Sequence, residues 1–228
     1  IINFKSAIVP CPPNQTAIHI DKLHDARFFR WEDGLLRIAG EKIPSLSVLH
    51  VASEQFHRHQ LPNLEFSRSA GLGSAGTSSR LAKLAKEWTS EATSDWECVK
   101  AICENLRTFE VAPKLHVPED TEDAVEHFLF VSRAGPDFLF ATSAAVLLRT
   151  LGYECRVLSG LYADPENYDR LAKSTGVFAG NVHFWGEVRT SDGRWLVVEP
   201  PPGFEVLYAR QTLSQHFASM LNGLADHV

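Results

Sequence analysis

The 228-residue chain has only four cysteines and one methionine, and no apolar run near the roughly 18 consecutive residues that a membrane helix needs. No pair among Cys11, Cys98, Cys103 and Cys155 has the spacing of a metal knuckle. Cys98 and Cys103 fall on one expected helix and point in different directions. Cysteines this sparse report no redox compartment. Positive charge is also short. The 22 Lys and Arg residues face 28 Asp and Glu, and the net charge of -6 argues against nucleic acid as a partner. The chain starts without an initiating Met or a secretion signal, so the expectation is a piece of a longer protein. What remains is an ordinary globular composition, long enough for one large domain or two small ones.

Residues 1–68 read as β-rich. ARFFRW and LLRIAG flank the turn residues Glu32, Asp33 and Gly34, a hairpin signal. QTAIHI and LSVLHV alternate as strands do. Residues 69–79 are small, polar and glycine-rich, and predict a linker.

Residues 80–228 read as one core. A cap between Thr77 and Ser79 starts a helix that runs to about Trp88. A second helix over 94–109 puts Trp96, Val99, Ile102 and Leu106 on one face. A third covers 122–131. A fourth, over 137–151, is rich in Ala and Leu, which predicts burial, and Gly152 stops it. CRVLSG is then a strand, and 161–180 a long polar loop. NVHFWGEVR and RWLVVEP form a hairpin through Thr190 to Gly193. Thr212 and Gln215 make a capping box for a last helix over 212–225, with Leu213, Phe217, Leu221 and Leu224 as its apolar stripe. Helices followed by antiparallel strands give an α+β class.

One site is legible in this order. Asp137 heads a buried helix, in the positive end of its dipole, after the turn residues Gly135 and Pro136. His183 and Glu199 lie on neighbouring hairpin strands, where a carboxylate can orient an imidazole. The three segments AGPDFLFATSAAVLLRTLGYECRVLSG, NVHFWGEV and GRWLVVEPPPG together resemble the core of the transglutaminase-like superfamily, a papain-like group of cysteine enzymes. The resemblance is specific over 120–203 and looser over 78–119. It implies a papain-like core of helices packed on an antiparallel sheet.

Counted back from Leu147, Leu148 and Arg149, the family's nucleophilic cysteine falls on Asp137. Its histidine falls on His183, its acid on Glu199, and a supporting tryptophan on Trp185. Such chemistry needs a thiolate, which an aspartate cannot supply. Cys11 and Cys155 lie in the wrong elements to replace it, and Thr142 and Ser143 sit inside the helix. The resemblance therefore implies a pseudoenzyme that binds peptide or protein segments as a scaffold, with no cofactor. DAVEHFLFVSRAG resembles bacterial members, many of them extracytoplasmic portions of membrane proteins. Composition leaves a cytoplasmic location open. Two other readings stand. One is an active amide hydrolase or acyl transferase whose nucleophile was mutated or displaced. The other is a metal-dependent hydrolase using Asp137, His183 and Glu199.

Two further patterns carry little. Gly71, Gly73 and Gly76 fit a dinucleotide-loop spacing, but a helix rather than a strand–helix–strand unit follows. His57 and His59 lack a nearby third metal ligand.

Overall fold

The computed structural model describes residues 6–24, 27–30, 36–40, 42–69, 78–118, 121–178 and 180–204. It divides into two compact units, 1–55 and 56–228.

The first unit is built of strands, as its alternating residues predict. β1 (Gln15–Ile20) pairs antiparallel with β4 (Leu49–Ser53), and β2 (Phe28–Arg30) with β3 (Leu36–Ile38). The hairpin residues Glu32, Asp33 and Gly34 lie outside the described residues. Val9, Ile20, Ile38 and Ile43 form a small core.

The second unit begins earlier than the sequence suggests, at Phe56 rather than after residue 68. The reason is apolar burial. Phe56, Leu61 and Phe66 belong to the larger core. The chain then runs on as an edge: Ser67 donates its backbone N–H to Arg189 and Ser69 to Gly152. Asp95 fixes this edge by accepting from the Phe66 N–H at 3.0 Å, the Arg68 guanidinium at 2.5 Å and the Tyr153 hydroxyl at 2.8 Å. Burial alone would raise the pKa of Asp95, but these donors outweigh it and hold the carboxyl below its usual value. Residues 70–77, most of the expected linker with its glycine pattern, lie outside the described residues.

The helices follow their caps. α1 (Ser79–Trp88) is capped by Ser78, and α2 (Asp95–Leu106) by Ser94. α2 buries Val99, Ile102 and Leu106, as its periodicity predicts. β5 (Glu110–Val111) pairs parallel with β6 (Ala134–Gly135). The expected third helix is only α3 (Ala124–His127), followed by a wider helical turn over Phe128–Ser132. Arg133 then closes it with a left-handed φ of 47°.

α4 (Asp137–Thr150) is the centre of the unit. It buries Leu139, Phe140, Ala144, Ala145, Leu147 and Leu148. Its alanines let it approach a three-stranded antiparallel sheet of order β11–β10–β7, formed by β7 (Cys155–Leu161), β10 (Val182–Arg189) and β11 (Trp195–Val198). Gly152 ends α4 at φ 90°. The residues between β7 and β10, expected to be a plain loop, contain the short antiparallel pair β8 (Tyr168–Asp169) and β9 (Ser174–Thr175). The expected helix over 212–225 lies outside the described residues.

Candidate functional site

Three elements meet at His183. Asp137 is the first residue of α4, next to Pro136 in an extended conformation. The turn before it is tight: a Cβ on Gly135 would lie 2.9 Å from the Leu139 side chain. An anion is favoured at this helix end. His183 lies near the start of β10, paired in register with Gly160 of β7. Glu199 directly follows β11.

The imidazole is held from both sides. Nδ1 lies 2.9 Å from Asp137 Oδ2, and Nε2 lies 2.8 Å from Glu199 Oε2. Asp137 Oδ2 also accepts the Phe184 N–H at 3.1 Å, and Oδ1 accepts the Phe138 N–H at 2.8 Å. The His183 side chain is 3% exposed. Phe204 stacks on its ring at 3.9 Å and 11°, and Tyr162 meets it edge-on at 5.8 Å. Burial opposes protonation of His183, but the hydrogen bonds and charges of Glu199 and Asp137 overcome it, so its pKa lies above the ordinary 6.5. The protonated ring donates one N–H to each carboxylate.

The structure thus brings Asp137, His183 and Glu199 together. Trp185 lies 6.4 Å from the His183 ring and donates Nε1–H to Glu187 at 3.3 Å. Glu187 is 1% exposed and ion-paired to Arg156 at 2.7 Å. The two carboxylates occupy opposite nitrogens of His183, so they do not converge with the ring on a single ion. Among the described residues no group of three His, Cys, Asp or Glu side chains is arranged to hold a metal.

The hydrogen bonds of the His183 ring go to Asp137 and Glu199. Burial pushes the Cys103 thiol up to about 12 and the Cys155 thiol up to about 11. Both are therefore neutral and poorly nucleophilic. Cys155 donates to the Ala145 carbonyl at 3.2 Å. Cys11 belongs to the first unit. Ser143 is fully buried on α4.

Beside His183 opens a cavity of about 590 Å³, lined by Tyr162, Asp164, Glu166, Asn181 and Phe204. Sequence reasoning did not find Phe204 or Tyr162, because loop residues reach the ring without any periodic signal.

Residues 82–200 match the sequence profile of the transglutaminase-like superfamily, which is more than half of the chain. The chain belongs to that superfamily. A 132-residue stretch is 30% identical to YebA of Bacillus subtilis (strain 168). This covers 55% of the chain but only 18% of YebA. The fold is also that of the periplasmic domain of TgpA from Pseudomonas aeruginosa, solved with and without ethylmercury. TM-score is 0.58 and identity 19% for both structures, and the match covers 88% of this chain. It covers 69% of the ethylmercury-bound TgpA chain and 67% of the other. At that identity the likeness speaks for fold alone.

Within this transglutaminase-like core, Gly160 makes room for Trp185. A Cβ there would lie 2.5 Å from Trp185 Cη2. Glycine inside a strand often marks such a close approach. Gly160→Ala is expected to cost about 1–3 kcal/mol through overpacking. The cost should shrink when Trp185→Leu is added, because contacting residues are not additive. Equal losses in both backgrounds, measured by denaturant melts, would remove this account of Gly160.

Proposed function

We propose that this transglutaminase-like domain lacks thiol catalysis and holds peptide or protein segments in its cleft. The carrying observation is the position of Asp137. Its carboxylate sits at the head of α4, 2.9 Å from His183 Nδ1, where a triad of this order needs its nucleophile. Attack on an amide by a carboxylate would give a mixed anhydride, a poor intermediate. His183 is locked between two anions and favours imidazolium, which is the wrong state for a general base. The adjoining cavity of about 590 Å³ has room for side chains of a bound segment. The periplasmic origin of TgpA supports reading this domain as an extracytoplasmic part of a longer protein.

The test is direct. The chain is incubated with a glutamine-bearing protein and a labelled amine, and cleavage of a peptide pool is followed in parallel. No turnover is expected. Turnover that disappears in His183→Ala would overturn the proposal.

One observation favours a second reading, an acyl-transfer or amide-hydrolysis enzyme whose nucleophile was exchanged. The His183–Glu199 contact remains short, at 2.8 Å.

A further inference from the structure

A second cavity, of about 240 Å³, is lined by residues of α2 and β11 together with Arg58, Arg107 and Glu199. Its volume falls below the usual 300–1,000 Å³ of drug-sized pockets, so it suits a small molecule rather than a chain segment. Val99, Cys103 and Val198 supply buried apolar wall. The Cys103 thiol, pushed up to about 12 by burial, adds no negative charge.

The charges at its rim do not cancel. Lys100 lies 3.5 Å from Glu104, which neutralises both. The Glu199 carboxylate is turned to His183. Arg58 and Arg107 are left, and neither forms an ion pair among the described residues. Arg107 donates one N–H to the Glu199 main-chain oxygen at 2.8 Å, and its other donors form no hydrogen bond among the described residues. Two guanidinium groups that form no ion pair among the described residues thus line a partly apolar cavity, a setting that suits an anion. A single carboxylate has one oxygen for each of the two guanidinium groups.

We propose that this cavity binds a small monocarboxylate with an apolar body, its head group between Arg58 and Arg107 and its body against Val99, Cys103 and Val198. Glu199 belongs to this cavity and also holds His183, so the bound acid sits one residue away from the cleft.

The probe is 4-phenylbutyrate, titrated into the full chain by calorimetry, with 4-phenylbutanol as the uncharged control. The acid is expected to bind with a Kd in the millimolar range or tighter. The alcohol should bind roughly tenfold more weakly or less, a loss of about 1.4 kcal/mol. Arg58→Gln and Arg107→Gln should each weaken the acid by a similar factor. Binding of the acid should also move the His183 ring resonances. Equal binding of acid and alcohol, no binding at millimolar acid, or unchanged affinity in a folded Arg58→Gln protein overturns the proposal. Arg58→Gln decides if Arg107→Gln lowers the melting temperature, because Arg58 does not hold Glu199.

Discussion

Asp137→Cys is expected to give amide hydrolysis or acyl transfer where the parent gives none. The substitution changes three things together. It places a thiol next to His183 Nδ1, where the Asp137 carboxylate now lies at 2.9 Å. It removes one of the two anions that raise the pKa of His183, so the ring is freer to take a proton near neutral pH. It leaves the Phe138 and Phe184 N–H groups, which now bond Asp137, pointing at the new sulfur. These donors and the dipole of α4 favour a thiolate. Proton transfer by a positioned side chain contributes about 10²–10⁴ in rate, and turnover at least the lower figure above the uncatalysed background is expected. Adding His183→Ala to the variant should erase it. A folded Asp137→Cys protein that stays silent toward glutamine donors and peptides would mean that the cleft itself, and not only its nucleophile, has changed.

The parts of this site that sequence could reach are those carried by chain order. The Gly135 and Pro136 turn, the Ala- and Leu-rich run and the Gly152 stop define α4, and with it the place of Asp137. The hairpin around Gly193 brings the strands of His183 and Glu199 side by side. Other parts depend on distant contacts that no local pattern encodes. Arg107 reaches the Glu199 carbonyl from the end of α2. Phe204 stacks on His183 from the turn at Gly203, whose φ is 88°. The unit boundary moved for the same reason: Phe56, Leu61 and Phe66 have no strand or helix period, so their burial in the larger core shows only in three dimensions. β8 and β9 are two residues each, too short to alternate.

His183 should also make stability depend on pH in a defined direction. Its pKa in the folded chain lies above the ordinary 6.5, because Glu199 and Asp137 outweigh the burial that opposes its charge. The folded state then binds more protons than the unfolded state between the two values. Stability from this group is fully present below about 6.5 and is lost as pH rises through the folded pKa. Denaturant melts from about pH 6 to about pH 9 should therefore show the parent weakening as pH rises. His183→Gln should flatten that slope, since glutamine does not titrate. It should also cost the most at the acid end. Removing the ring's charge there leaves two carboxylates facing each other without a cation, a loss of about 3 kcal/mol, at the low end for a broken buried pair because Asp137 keeps some contact with water. Relative to His183→Gln, the parent would instead strengthen with rising pH if the folded imidazole stayed neutral throughout, because only the unfolded chain would then bind the proton. That outcome would remove the imidazolium on which the account of the silent parent depends.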